Sequence, residues 1–416
     1  MSILRRPLPG GSAAVEFARM LLAGGISVDA LAAAPTINDI RELARRRIPR
    51  MAFDFVDGGA DAEITLRANI TDLARVSFNP RSLVDVSTQN TAGTVVGEQL
   101  PLPLILAPAG SVRITGGDGE LSAVRAAGKA GLTYTISTAS SWSIEEIAEQ
   151  ATGPLWFQLY MWRSREVVEA LVDRARNAGC TALVVTIDVP VNGKRARDQR
   201  NGMSIPPQVT VRNAFGALRH PKWLGSLLQG PPIGFRNMLG IAEGSSAMSH
   251  QEYINTQLVN LRNSWDDVAW LRRMWDGPLL IKGVISLADA QQAANVGADG
   301  IFVSNHGGRQ LDSLPSSISM LPQIVTAVGD RLDIIFDGGV RSGADVIKAK
   351  ALGADAAAIA RSWVWGAAAA GERGVDRVID IYRSEIRETM IMLGVTDISE
   401  LNRDTVRYPP EWNHAG

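Results

Sequence analysis

Gly300-Ile301-Phe302-Val303-Ser304-Asn305-His306-Gly307-Gly308-Arg309 passes from residues suited to a buried strand straight into a polar, glycine-rich turn. A strand packed on both faces has no structural need for such an ending. Seven other short apolar runs repeat the pattern, at 104–107, 133–137, 155–159, 182–188, 279–282, 333–337 and 356–360. They finish on Pro108-Ala109-Gly110, Ser137, Gln158 with Tyr160, Thr186 with Asp188, Lys282, Asp337-Gly338-Gly339, and Arg361. Amphipathic stretches of Ala, Glu, Lys and Arg separate the runs. Strands alternating with helices imply parallel βαβ units, and eight of them close a barrel. A doubly wound sheet would gather its polar groups at one switch point, whereas a barrel builds its site from all eight C-terminal strand ends. The expected fold is an α/β (β/α)8 TIM barrel.

The 416 residues are 46% hydrophobic and 20% charged, which is the composition of a globular chain. Forty-two basic residues against 43 acidic ones give net −1, so no global charge attracts nucleic acid or lipid. Cys180 is the one cysteine, which excludes an internal disulfide and any multi-cysteine metal site. A reducing, cytoplasmic compartment is the default. His220, His250, His306 and His414 show no ligand spacing, so no metal is expected. No apolar run reaches the roughly 18 residues of a membrane span.

Residues 1–35 begin with Arg5 and Arg6 before a mildly apolar stretch, but Glu16, Arg19 and Gly24-Gly25 interrupt it. They read as an N-terminal extension that packs on or caps a barrel domain at 36–416. The first helix opens near Thr36, with Asn38 or Asp39 near its cap. Between strands four and five, residues 205–264 form an insertion too long for an ordinary loop. It reads as an active-site lid or a packing excursion. A membrane-surface segment is the other reading, because Trp223, Leu224, Leu227, Leu228 and Phe235 stand near Arg219, Lys222 and Arg236.

The glycine turn after strand six brings His306 and Arg309 over one small space. There a neutral imidazole can take a proton and a guanidinium can hold a carboxylate in a bidentate fork. Asp188, at the end of strand four, is the natural partner to orient and stabilise the imidazole, although it also fits a capping role in its own turn. Asp337-Gly338-Gly339-Val340-Arg341 and Ala360-Arg361 follow strands seven and eight, where phosphate-binding barrels hold their phosphate. Lys282 is a costly ammonium in a buried strand unless it has a partner, and a bound flavin would provide one. Arg195 reads equally as a second carboxylate clamp or as part of a solvated basic run.

With Phe53-Asp-Phe-Val-Asp-Gly-Gly-Ala60, Trp156-Phe-Gln-Leu-Tyr160, Thr186-Ile-Asp188, Asn201-Gly-Met-Ser-Ile-Pro-Pro207 and Ile281-Lys-Gly283 added to these motifs, the chain resembles the FMN-dependent L-2-hydroxy acid dehydrogenase/oxidase family. The likeness runs from about 36 to 393 and is closest in character to L-lactate dehydrogenase. It implies oxidation of a small L-2-hydroxy acid to the 2-oxo acid, with His306 as proton acceptor paired with Asp188. It implies substrate contacts at Tyr160, Arg195 and Arg309. FMN contacts are implied at Pro108, Ala109, Gly110, Ser137, Gln158, Thr186, Lys282, Ser304, Asp337 to Arg341, and Arg361. A homotetramer is implied as well.

Three positions depart from the family pattern. Phe55 replaces a carboxylate-binding tyrosine, Ala109 a threonine and Ala360 a glycine. Gly110, where many oxidases have alanine, resembles the dehydrogenases that pass electrons to a quinone or cytochrome and often attach to the membrane through this insertion. The alternatives are (S)-mandelate or a longer 2-hydroxy acid as substrate, and oxygen as acceptor. An FMN-dependent isomerase or a non-catalytic flavin protein would lack the His–Gly–Gly–Arg constellation or lose one of its key residues.

Overall fold

Alternate residues of the eight apolar runs face opposite sides of one closed wall. The computed structural model describes residues 29–203, 216–231, 233–238 and 260–413. The barrel strands are β1 (Leu104–Leu106), β2 (Tyr134–Ser137), β3 (Leu155–Tyr160) and β4 (Ala182–Thr186). They continue as β5 (Leu279–Val284), β6 (Gly300–Val303), β7 (Asp333–Asp337) and β8 (Ala356–Ile359). Each pairs in parallel with the next, and β8 returns to β1 through Ala357 opposite Leu104. The expected (β/α)8 barrel is the observed one.

Large and small residues interlock inside the barrel. Trp156 and Phe302 meet edge to face with centroids 6.4 Å apart, and Ala182, Ala356 and Ala358 leave the room that they occupy. A hairpin (Gly93–Val95 with Glu98–Leu100) adds Val95 and Leu100 to that cluster. Its Glu98 accepts a hydrogen bond from Thr133 at the start of β2 (2.9 Å), so the hairpin sits at the N-terminal end, opposite the polar strand ends. The other strand faces pack against the surrounding helices in one continuous core.

Three helices precede the barrel: α1 (Ile37–Arg47), α2 (Arg50–Asp57) and α3 (Ile64–Arg75). Thr36 caps α1 in a capping box with Asp39, one of the two residues expected near the cap. Asp312, from the turn after β6, accepts the backbone N–H groups of Ala62, Ile64 and Thr65, and so fixes the start of α3 against the active face. Of the expected N-terminal extension, residues 1–28 lie outside the described residues. Residues 29–34 pack on the C-terminal helix Glu372–Leu393, where Arg377 holds the Ala34 carbonyl at 2.8 Å.

The insertion between β4 and β5 is described at 216–231, 233–238 and 260–264, and the rest of the expected lid or membrane segment lies outside the described residues. Its helix Pro221–Leu228 docks on the loop after β1: Trp223 Nε1 donates to the Ile114 carbonyl (2.8 Å), and Arg113 reaches the carbonyls of Ser226 and Leu227. Two residues of the expected membrane surface therefore turn inward. Trp223 is buried and Phe235 faces the barrel mouth, while Leu218 and Leu228 are exposed. Among the described residues no helix is long and apolar enough to cross a membrane.

Candidate active site

Strand register gathers the polar ends into one ring. Ser137 stands opposite Gln158, Tyr160 opposite Thr186, and Thr186 opposite Lys282. Gln158 accepts from Ser137 Oγ at 3.2 Å and donates to Thr186 Oγ1 at 2.9 Å, so three strand ends are tied together. The ring borders a cavity of about 480 Å³. Pro108, Ala109, Gly110, Ser137, Gln158 and Thr186 line it. Lys282, the stretch Asp337 to Arg341, Ala360 and Arg361 belong to the same lining. Phe55, Tyr160, Arg195, His306 and Arg309 line it as well. Of the residues singled out from the sequence, Asp188 and Ser304 do not line the cavity; they lie behind it.

Lys282 does not wait for a flavin to find a partner. Its Nζ lies 2.8 Å from Asp337 Oδ2, and both side chains are buried. Ser304 completes the cluster. Its hydroxyl accepts from Lys282 Nζ (3.2 Å) and from the His306 amide (3.1 Å), and donates to Asp337 Oδ2 (2.9 Å). Burial alone would raise Asp337, but Lys282 and Ser304 bring its carboxyl below the ordinary carboxylate range. Burial opposes the Lys282 charge too, yet Asp337 and Asp188 hold its pKa above that of an ordinary amine.

His306 follows β6 with φ +57, a left-handed conformation uncommon outside glycine. Its Nδ1 lies 3.0 Å from Asp188 Oδ1, an arrangement that leaves Nε2 as the nitrogen free for proton exchange. Gly283 makes the approach possible: a Cβ there would come within 2.5 Å of Asp188 Cγ, and its φ is +99.

Arg309 donates to the Gly58 carbonyl at 2.9 Å, and Arg361 binds the carbonyls of Gly58, Val56 and Gly307. Neither guanidinium, nor that of Arg341, has a carboxylate within ion-pair distance among the described residues. Burial, followed by the neighbouring Arg195 and Arg361, pushes Arg309 well below the ordinary guanidinium range. Burial, then Arg341, brings Arg361 down to about 10. A guanidinium does not deprotonate at neutral pH, so these shifts mark a site short of negative charge. Two anions would supply it, a phosphate near Arg341 and Arg361 and a carboxylate near Arg195 and Arg309. The Phe55 ring lies 5.8 Å from the Arg195 guanidinium carbon and 5.5 Å from that of Arg309, in place of the tyrosine hydroxyl of the family pattern.

The departure at Ala360 carries little backbone cost. Ala360 has φ −112, so a side chain is accommodated where the family has glycine. Gly110 is different: a Cβ there would stand 2.6 Å from Ala139 Cβ, so packing against Ala139 requires the glycine. Sequence reasoning missed Asn69 and Asp198, and it weighed Phe235 as membrane surface. Asn69 is buried in α3 and exchanges two 2.8 Å side-chain hydrogen bonds with Asn305, the residue before His306. Asp198 and Phe235 both line the cavity.

FMN fits this donor set. The unmatched Arg341 and Arg361 suit its phosphate, and the buried Lys282 beside the cavity suits a ring that becomes anionic on reduction. The family model for FMN-dependent dehydrogenases matches residues 44–408. An L-lactate dehydrogenase of Caulobacter sp. is 42% identical over 368 residues, 88% of this chain and 96% of its own length. One of Alcaligenes faecalis is 40% identical over 374 residues, 89% of this chain and 98% of its own. The crystal structure of the monotopic membrane protein (S)-mandelate dehydrogenase superposes with a TM-score of 0.86 at 36% identity, covering 90% of this chain and 99% of that one. The chain belongs to the FMN-dependent dehydrogenase family and is an FMN-dependent 2-hydroxy acid dehydrogenase.

Proposed function

We propose that the chain oxidises L-lactate to pyruvate, with His306 as the general base and a quinone or cytochrome as the final electron acceptor. The observation that carries this reading is His306, held 3.0 Å from Asp188 and lining the same cavity as two guanidiniums that lack a strong anionic partner. Arg309 and Arg195 clamp the substrate carboxylate, and Tyr160 binds beside them. His306 Nε2 takes the proton released as the alcohol becomes a ketone, and Asp188 stabilises the imidazolium that results. Bound FMN would supply the two-electron acceptor for this oxidation. Pro108 to Gly110, Ser137, Gln158 and Thr186 would hold its ring, Lys282 would stabilise negative charge on that ring, and Gly338 to Arg341 with Arg361 would hold its phosphate. Ser304 and Asp337 orient Lys282. The active protein is a homotetramer that touches the cytoplasmic face of the membrane through 205–264.

The cavity wall favours (S)-mandelate as a second reading. Phe235, Ile114 and Met203 give it an apolar side suited to an aromatic ring, and the structural neighbour named above is an (S)-mandelate dehydrogenase. Anaerobic reduction of the bound flavin, followed by its loss of yellow absorbance, separates the readings. L-lactate, glycolate, L-mandelate and longer acids are compared, with D-lactate as control. Reduction by L-lactate alone supports the first reading and reduction by L-mandelate the second. Readmitted air then shows whether oxygen serves as acceptor. Failure of every acid to reduce the flavin refutes both.

A further inference from the structure

Two guanidiniums share the Phe55 ring, and like charges this close must be held against their own repulsion. A carboxylate also stands at that spot: Asp198, the third residue of the short helix Ala196–Asn201, whose charge acts on Arg309. It is 9% exposed and lines the cavity, with its Oδ2 3.8 Å from Arg195 Nη1. Its neighbours in the helix are committed elsewhere. Arg197 binds Asp57 (2.9 Å) and Glu63 (2.6 Å), and Asn201 binds Asp54 (2.6 Å), so the helix is pinned to α2 without Asp198. Among the described residues the Asp198 carboxylate accepts no hydrogen bond, and the buried Nε of Arg195 donates none. Burial raises the Asp198 pKa, and the Arg309 and Arg195 charges oppose that rise. A carboxylate that served only the fold would be bonded as Asp54, Asp57 and Glu63 are.

We propose that Asp198 is a positioning residue whose carboxylate holds Arg195 beside Arg309, so that both guanidiniums meet the carboxylate of the substrate. The proposal rests on the reading of that arginine pair as the carboxylate clamp. A second, resident carboxylate partly neutralises the pair when the site is free, and orients Arg195 through its Nη1.

The test is a double-mutant cycle on the FMN-bound protein, with oxalate as the probe and its equilibrium binding read from the perturbed flavin absorbance. Arg195→Met is expected to weaken oxalate binding about 100-fold and Asp198→Asn about tenfold, with the double variant no weaker than Arg195→Met. Unchanged binding in Arg195→Met overturns the clamp reading, and the proposal with it. A loss in Arg195→Met with none in Asp198→Asn overturns the proposal alone. So do two losses that multiply in the double variant, because Asp198 would then act independently of Arg195. Should Asp198→Asn fail to retain FMN, Asp198→Glu, which keeps the charge but moves it by one methylene, enters the same cycle.

Discussion

Lys282 Nζ and Asp337 Oδ2, carried by β5 and β7, lie 2.8 Å apart in the interior of the active face. Removing one partner strands the other as a buried charge. Lys282→Met is therefore expected to destabilise the protein by about 3–5 kcal/mol. Chemical denaturation checks this, and the double variant Lys282→Met/Asp337→Leu should recover part of the loss. The sign of the pH dependence follows from the shifts. Asp337 titrates below its unfolded value, so its contribution is present above the ordinary carboxylate range and lost as pH falls through the lowered value. Lys282 titrates above its unfolded value, so its contribution is lost only as pH rises through the raised one.

His306→Asn separates the base from its backbone. Asparagine tolerates the left-handed conformation at φ +57 at least as well as histidine, so the variant should fold and retain FMN. Flavin reduction by the acid substrate should slow by about 10³-fold or more, which is the contribution of a well-placed base. Stopped-flow reduction checks it, and a variant that kept a tenth of the parent rate would remove His306 from the mechanism.

Phe55→Tyr restores the hydroxyl of the family pattern between Arg195 and Arg309. One added hydrogen bond to the substrate carboxylate is worth about 1 kcal/mol, so KM should fall about fivefold with kcat little changed. Steady-state kinetics with an artificial acceptor give the answer. A rise in KM would mean that the plain ring is the better spacer between the two cations.

Glu145 is held down to about 2 by Arg174, which binds both its oxygens and also reaches the Asn237 carbonyl in the insertion. A depressed carboxylate contributes stability above its unfolded pKa and loses it as pH falls toward the folded value. Glu145→Gln should therefore flatten the acid-unfolding curve between about pH 4.5 and 2, with the variant less stable than the parent near neutrality and equal to it near pH 2. The difference is small because the pair is partly exposed. Circular dichroism against pH measures it.

The barrel was legible because its strands end badly for a core: a polar residue after an apolar run carries its own explanation. His306, Arg309 and the glycines between them were readable because they sit in one local turn. The pairing of Lys282 with Asp337 was not, because the partner comes from a strand two positions around the barrel. Trp223 and Phe235 misled for a different reason: an apolar helix has the same composition whether it meets lipid or protein, and only packing decides. Asp198 was hidden inside the charge run at 194–198, where Arg195 and Arg197 turn to different partners. Asn69 gave no local signal, because an amide in a helix reads as ordinary surface until its partner is found.

The Asn69–Asn305 exchange makes the chain hard to shorten. A fragment beginning at the first barrel strand would keep all eight strands and every residue of the glycine turn, yet the amide that braces the residue before His306 would be gone. The three leading helices are thus part of the instrument, and any split, permutation or grafting of this barrel has to carry α3 with it.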